Sequence, residues 1–257
     1  PLDLSETYVG VSGGTQSVFQ GDARTSRRLG DRVGVKLSAR WFQGEEFAYD
    51  DPVEITIREI LETDPEIWRS RLRDIGVSEE EIAIREGRVA IRDRGIERWS
   101  ADGRLDWTPS EGDTLFFQAG RTTTTGIEVT PLGAAQAGDW RYDYVQGRFQ
   151  SGSLFAQAFV NASDAGDTYL LRDGAALFDR SSLVGVQLRH AVDLFDGREE
   201  VTYGADWFET NPKTGGTIHG RFEGGDRITE YGGYLQSRTR LADPLHLVGA
   251  IRVDESN

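Results

Sequence analysis

Residues 228–254 read ITEYGGYLQSRTRLADPLHLVGAIRVD and predict a long β-hairpin that turns at Ala242-Asp243-Pro244. On both sides of this turn, apolar and polar side chains alternate, as along a strand whose two faces meet different surroundings. Each predicted strand has about a dozen residues, whereas strands of soluble proteins most often have about 5–6 and a tilted strand crosses a bilayer in about 9–11. The hairpin therefore fits either a soluble sheet or a membrane barrel.

Composition narrows the class of protein. The 257 residues include 43 acidic and 29 basic side chains, and the formal net charge is −14. A nucleic-acid-binding protein usually carries a basic patch, so we predict no nucleic-acid partner. Cysteine is absent, which excludes a disulfide framework and a thiolate metal site. The chain opens with Pro1 and has no methionine, which predicts an internal or processed piece of a longer protein.

The connections between the predicted strands alternate in length. Ten strands are expected, with short connections near 29–31, 109–112, 151–152, 194–198 and 242–244, and long ones near 48–94, 125–140, 164–180 and 210–227. In an up-and-down sheet, alternate connections leave opposite edges, and transmembrane barrels combine short turns on one edge with long loops on the other. We therefore predict an all-β fold, an antiparallel up-and-down transmembrane β-barrel that is partial, over residues 1–257. Residues 1–15 are an ambiguous lead-in.

Residues 48–94 differ from the rest because they predict helices. Asp51-Pro52 and Asp64-Pro65 each place a capping residue before a proline at the first helical position. Ser78 begins a capping-box pattern that predicts a third short helix. We expect a helical insertion in one long extracellular loop.

Polar residues on one face of several strands predict a surface that contacts water. In a barrel this surface lines the lumen, and the alternative is an ordinary solvated sheet face. The candidate lumen residues are Lys36, Arg40, Arg148, Gln157, Gln236, Arg238 and Arg240.

Aromatic residues cluster where strands meet the long connections. Membrane barrels carry aromatic girdles at the level of the lipid headgroups, although aromatic residues also favour strands in general. The candidate membrane-interface residues are Trp41, Phe42, Tyr49, Trp140, Tyr142 and Trp207.

Several blocks resemble the barrel domain of TonB-dependent outer-membrane receptors. They are RLGDRVGVKLSARWFQGEEF (28–47), DPVE (51–54), DWRYDYVQGRF (139–149), SLFAQAFVNASDAGDTYLLRDG (153–174) and EYGGYLQSRTRLADPLHLVGAIRVD (230–254). The resemblance implies a barrel of about 22 strands around an N-terminal plug. This chain then supplies part of the barrel wall, and the plug and the segment that contacts TonB are not recognisable in it.

The resemblance also implies a location and partners. We expect the bacterial outer membrane, contact with its lipid, energy from TonB through a plug segment that is not present here, and a small-molecule or oligomeric substrate that the sequence does not identify. A passive porin-like or structural barrel shares the same strand pattern, and a soluble β-sheet glycan-binding module is a third interpretation. Only residues upstream of Pro1 would separate the first two.

Motifs for catalysis or cofactor binding are not evident, so we predict a protein that is not an enzyme and has no cofactor. His190, His219 and His246 are too scattered for a triad or a metal-ligand pair. Glu223-Gly-Gly-Asp226 and the pair Asp164 and Asp167 are the only calcium candidates, but they lack the spacing of a calcium loop. We interpret them as solvated turns and predict no metal site.

Overall fold

The computed structural model describes residues 5–257, and most of these belong to one antiparallel sheet. Its strands are β1 (Glu6–Gly13), β2 (Phe19–Leu29), β3 (Val33–Glu45), β4 (Gly95–Trp107), β5 (Asp113–Thr130), β6 (Gly133–Ser151), β7 (Leu154–Asp164), β8 (Thr168–Leu170), β9 (Ala176–Leu177), β10 (Ser182–Leu194), β11 (Glu199–Asn211), β12 (Ile228–Ala242) and β13 (Leu245–Ser256).

Eleven strands form a continuous wall. Strands β1 to β7 and then β10 to β13 lie side by side in chain order, and β8 and β9 branch from β6. Within residues 5–257 the sheet does not close, and β1 and β13 are its edges. The predicted partial, up-and-down antiparallel barrel is confirmed. The wall has one strand more than expected because Glu6–Gly13, in the ambiguous lead-in, pairs with β2.

The hairpin of 228–254 has the predicted turn and alternating faces. Leu235 on β12 lies opposite Ile251 on β13, and Gln236 lies opposite Ala250. Residues directly opposite each other share a face of the sheet, so the two apolar faces combine, as do the two polar ones. The register shifts between Arg240 and Ala242, immediately before the turn.

The connections at the two ends of the wall differ in length as predicted, except at residues 125–140. One end carries the tight turns, and the other carries the connections with helices and small strands. The predicted loop at 125–140 is wrong, because β5 continues to Thr130 and β6 begins at Gly133. One strand of this extension is buried, since Ala135 and Ala137 are 0% exposed, whereas Val129 and Leu132 beside the turn are 90% and 48% exposed. Packing against other connections stabilises strand structure that the local sequence does not reveal.

Three helices form the insertion between β3 and β4, within the predicted range: α1 (Pro52–Thr63), α2 (Pro65–Asp74) and α3 (Glu79–Glu86). Asp51 caps α1 by accepting from the Val53 amide at 2.8 Å, and Ser78 caps α3, whereas Asp64 precedes α2 without a side-chain capping bond. None of the described helices is long and apolar enough to cross a lipid bilayer. Their small core consists of Trp68, Leu72, Ile82, Val89 and Ala90.

The connections at this end interlock, and we call residues 46–94, 126–137, 165–181 and 212–227 the cap. The Ala90 amide donates to the Leu171 carbonyl at 2.7 Å, and the Asp93 amide donates to Gln136 Oε1 at 2.9 Å. These bonds join the helical insertion to the 165–181 connection and to the first residues of β6. The Phe178 amide donates to Thr217 Oγ1 at 3.0 Å and joins the fourth segment. The cap is therefore one packed layer over the end of the wall.

Candidate functional site

The wall has a polar face, which carries Lys36, and an apolar face, which carries Leu37. Register and alternation assign every strand residue to one of them. For example, Lys36 lies opposite Arg104, and Arg104 lies opposite Gln118, so all three share the polar face. By the same relations, the seven lumen candidates lie on this one face: Lys36, Arg40, Arg148, Gln157, Gln236, Arg238 and Arg240.

The apolar face is exposed along the whole wall. The exposed fractions of Leu37, Ile251 and Val253 are 58%, 64% and 68%. A monomeric soluble protein rarely exposes a contiguous apolar patch larger than a few hundred Å². Other exposed apolar residues of this face are Val9, Val11, Leu105, Phe117, Val145, Val160, Val186, Leu188, Leu235 and Leu247. Such a surface requires an apolar partner.

Aromatic pairs lie on the apolar face near the cap. Trp41 lies opposite Trp99, and its ring centroid is 5.7 Å from that of Phe19. Six wall strands further on, Trp207 lies opposite Tyr231. Trp41 and Trp207, two of the six predicted interface residues, therefore share a face with each other and with the apolar side chains.

The other four predicted interface residues lie elsewhere. Phe42 follows Trp41 in β3, so it points to the opposite face, and Trp140 and Tyr142 share the polar face with Arg148 of the same strand. Tyr49 belongs to the cap, where the Arg92 guanidinium lies 5.4 Å from its ring centroid. This register is inconsistent with a single belt of six aromatic residues, because neighbouring strand residues point in opposite directions.

Hydrogen bonds connect polar-face residues across neighbouring strands. Arg148 donates to Gln157 Oε1 at 2.7 Å, Gln157 donates to Gln187 at 3.5 Å, and Gln187 donates to Asp206 at 3.3 Å. An arginine can only donate and a carboxylate can only accept, so the two end groups fix the direction of both amides. The row is therefore polarised from a cation towards an anion. Arg148 and Gln157 are predicted lumen residues, whereas Gln187 and Asp206 were not predicted from the sequence.

The remaining lumen candidates lie apart from this row. Arg238 lies opposite Glu200, and Arg240 is 3.8 Å from Asp243 at the turn. Arg40 forms an ion pair with Asp22, with Nε and Oδ1 2.5 Å apart. The structure thus joins Arg148 to Gln157 by hydrogen bonds, whereas the other five candidates lie on β3 and β12, on either side of this row.

Arg40 belongs to a groove on the polar face of β1 to β6, and this groove is the candidate binding site. It encloses about 570 Å³. Its polar-face lining is Tyr8, Asp22, Arg24, Ser38, Arg40, Ser100, Asp102, Thr122 and Tyr144. Arg24 forms an ion pair with Glu6, and Tyr144 accepts a hydrogen bond from Gln118 at 2.7 Å. The lining is thus rich in hydroxyl groups and in paired charges.

Asp102 differs from the other charged residues of the groove. Its Oδ2 atom is buried and has no hydrogen-bond partner among the described residues. The register places Asp102 between Ser38 on β3 and Gly120 on β5. A side chain at position 120 would collide with the Tyr144 ring, so the glycine allows this ring to cover the strand. Nothing in the local sequence distinguishes Asp102, and only the register reveals its place.

The acidic residues considered for calcium have other partners. Asp164 lies 2.9 Å from Arg141, Asp167 lies 2.6 Å from Arg88, and Asp226 lies 3.3 Å from His219. Glu223 accepts hydrogen bonds from Thr214 and from the Gly216 amide, and the Thr214 hydroxyl is the main reason that the pKa of Glu223 is lowered. Among residues 5–257, no group of three or more histidine or acidic side chains is arranged to hold a metal ion.

An ion pair holds the start of the helical insertion against another part of the cap. Asp51 is 2.9 Å from Arg172, and this hydrogen bond is the main reason that its pKa is lowered. Glu54 and Arg92 form a second pair through two bonds of 2.6 and 2.7 Å, with side chains only 5% and 13% exposed. Both pairs connect distant parts of the sequence, so they stabilise the cap as a unit.

Comparison with known proteins agrees with this architecture. No family model and no curated protein matches the sequence. Among solved structures, the copper transporter OprC is similar over 98% of this chain and 38% of its own, with a TM-score of 0.52 and 12% identity. A mutant of the ferric enterobactin receptor PfeA from Pseudomonas aeruginosa is similar over 97% of this chain and 38% of its own, with a TM-score of 0.50 and 13% identity.

At this level of identity, the similarity concerns the fold. This chain spans about 38% of the length of either structure, and both are TonB-dependent receptors. The resemblance noted in the sequence is therefore confirmed for the architecture of the wall. Residues 5–257 have the fold of a stretch of barrel wall from a TonB-dependent receptor.

Proposed function

We propose that this chain is part of the outer-membrane barrel of a receptor that imports its substrate with energy from TonB. The observation that carries the proposal is the separation of side-chain chemistry across eleven strands. The apolar face then contacts lipid, and the polar face lines the lumen. Most wall strands have 11 or more residues, enough to cross a bilayer at a tilt.

The cap supports a direction for the barrel in the membrane. Outer-membrane barrels have short turns on the periplasmic side and long loops outside. With this orientation, the cap is extracellular, as expected for 48–94, and the turns near 30, 110, 152, 196 and 243 face the periplasm. Substrate would meet the cap first and then the polar face. TonB would act through a plug segment of the complete protein.

Labelling of single cysteines tests the assignment of the two faces. The chain has no cysteine, so each introduced thiol is unique. We expect Val35→Cys and Leu37→Cys to react in whole cells or native membranes with a lipid-soluble maleimide only. Lys36→Cys is the matched control between them and should react with a water-soluble maleimide. Equal reaction of all three with the water-soluble reagent would contradict a wall in a membrane.

Uptake experiments test the dependence on TonB. The complete protein that contains this chain is expressed in cells with and without TonB, and accumulation of candidate substrates is followed. We expect accumulation only in the presence of TonB. Accumulation that is unchanged without TonB would favour the passive porin-like barrel, while leaving the assignment of the two faces intact.

A further inference from the structure

Four charged residues lie on the apolar face of the wall, close to the cap. Arg121 lies opposite Asp143, and Arg141 lies opposite Asp164. Arg121 follows Phe117 of the apolar face by four residues, and Arg141 precedes Asp143 by two, so alternation places all four on that face. A charge on a lipid-facing surface is costly at the bilayer midplane and much less costly near the headgroups. The level of these residues therefore decides what they can bind.

The aromatic pairs of the apolar face mark this level. The row of opposed residues that contains Trp99 crosses β6 at Arg141. The row that contains Trp207 crosses β6 at Gly147, so Asp143 lies between the two rows. Aromatic residues of membrane barrels lie at the level of the lipid headgroups. With the aromatic pairs at that level, the four charges are at headgroup level too, on the side of the cap.

Arg180 of the cap adds a fifth charge to this group. Its Nε atom is 3.9 Å from Asp164 Oδ2, too far for a hydrogen bond, and its side chain is 65% exposed. The guanidinium therefore stays accessible at the edge of the wall. The five residues, which we call the outer charge cluster, are Arg121, Arg141, Asp143, Asp164 and Arg180.

The outer charge cluster has more hydrogen-bond donors than its own carboxylates use. Three guanidinium groups face two carboxylates, which leaves one positive charge in excess in a chain whose net charge is −14. Asp143 accepts from Arg121 at 2.5 Å and Asp164 accepts from Arg141 at 2.9 Å, yet these arginine side chains remain 47% and 39% exposed. Guanidinium groups bind phosphate through two parallel N–H bonds. The cluster therefore favours a phosphate group.

Exposed apolar side chains lie next to the cluster, towards the tight turns. Val145 follows Asp143 by two residues on β6 and lies opposite Val160 on β7. These two side chains are 58% and 42% exposed. An inorganic phosphate ion gains nothing from such a surface, whereas the acyl chains of a lipid can pack on it. Charge and apolar surface together thus fit one molecule with both features.

We propose that the outer charge cluster binds the phosphate headgroup of a lipid in the outer leaflet, whose acyl chains lie on Val145 and Val160. The proposal rests on the proposed function, because it requires the apolar face to contact lipid and the cap to be extracellular. Arg180 donates to the phosphate from the cap, and Arg121 and Arg141 donate from the wall. One lipid would then join a cap segment to three wall strands.

Native mass spectrometry of the complete protein in detergent tests the proposal. The probes are dimyristoyl phosphatidic acid, with an accessible phosphate, and dimyristoyl phosphatidylcholine, with the same acyl chains and a choline on the phosphate. We expect phosphatidic acid to bind more tightly at equal concentrations. Arg180→Gln should weaken its binding by about tenfold, the loss of one charge-assisted hydrogen bond, and Arg180→Lys should weaken it less. Because the Arg180 side chain is exposed, both variants should keep the fold.

A charge on the opposite face provides the matched control. Arg98 precedes Trp99 on β4, so it lies at the same level on the polar face, and its side chain is 53% exposed. Arg98→Gln removes the same charge from the protein and should bind phosphatidic acid like the wild type. Inorganic phosphate at the lipid concentration should not displace the lipid, because it lacks the acyl chains.

Three results would overturn the lipid site. They are equal binding of the two lipids, displacement by inorganic phosphate, and binding to Arg180→Gln that is no weaker than binding to Arg98→Gln. Any of them, together with TonB-dependent uptake and the expected labelling of the two faces, would refute the lipid site and leave the proposed function intact.

Discussion

Arg252 on β13 forms an ion pair with Asp206 on β11 across the intervening strand β12, with Nη1 and Oδ2 2.9 Å apart. The side chain passes over Gly232, where a Cβ atom would collide with the guanidinium and with Asp254. The glycine therefore permits a contact between second-neighbour strands. Because the Arg252 side chain is 47% exposed, solvent weakens this pair.

We expect Gly232→Ala to break this crossing and lower the urea midpoint of unfolding slightly, because the ion pair that it disrupts is partly exposed. Gly233→Ala is the matched control, because a Cβ at Gly233 has no heavy atom within 4 Å. Urea unfolding in lipid vesicles measures the stability of both variants. Equal unfolding midpoints for the two variants would show that the crossing contributes nothing to stability.

A charge on the apolar face should lower the free energy of unfolding strongly only if that face contacts lipid. Leu235 and Gln236 are neighbours on β12, and both are exposed. We expect Leu235→Arg to lower the free energy of unfolding in vesicles by about 2–4 kcal/mol, the cost near a bilayer midplane. Gln236→Arg should change it by less than about 0.5 kcal/mol. Similar values for both variants would indicate that water, and not lipid, covers the apolar face.

The buried pair of Glu54 and Arg92 should control the stability of the cap. Glu54→Gln leaves the Arg92 charge buried without its partner, which typically costs about 3–5 kcal/mol. We expect faster hydrogen exchange across α1 and residues 88–92, with unchanged exchange in β10 to β12. The double variant Glu54→Leu and Arg92→Met removes both charges and should restore much of the protection. Unchanged exchange in Glu54→Gln would contradict this role.

Acid should release the 212–227 segment of the cap. The pKa of Glu223 is lowered, chiefly by the Thr214 hydroxyl. Its contribution to the stability of this segment is therefore complete above the unfolded pKa of about 4.3, and it is lost as the pH falls further. We expect a spin label at Ile218→Cys to become mobile below about pH 4. When Glu223→Gln is also present, the spin label at Ile218→Cys should already be mobile at pH 7. A label at Val129→Cys, in another cap segment, is the control and should not respond to Glu223→Gln.

Alternation along single strands predicted the wall well because each strand is long and has two unlike faces. The 228–254 hairpin and the common face of Lys36 and Arg240 both followed from this pattern. Alternation places Trp41 and Trp207 on the apolar face, and it places Phe42, Trp140 and Tyr142 on the polar face. Trp41 and Phe42 are adjacent, so they could not share a face.

Features that depend on distant contacts were not accessible from the sequence. Residues 126–137 contain Gly and Ala and predict a loop, yet they extend two strands because the cap buries Ala135 and Ala137. In α2, Ile67 is 44% exposed, whereas Trp68 and Leu72 are buried in the small core of the helices. Asp102 became a site candidate only when six strands were assembled around it.

The two aromatic pairs of the apolar face imply an inclination of the wall. The row of opposed residues that contains Trp207 on β11 crosses β3, six strand spacings away, at Val35, which is six residues from Trp41. If both pairs lie at one depth in the membrane, a shift of about 20 Å along the strands accompanies about 29 Å across them. The strands are then inclined by about 35° to the membrane normal, at the lower end of the range for closed barrels. Polarised infrared spectroscopy of the amide bands in oriented bilayers can measure this angle directly.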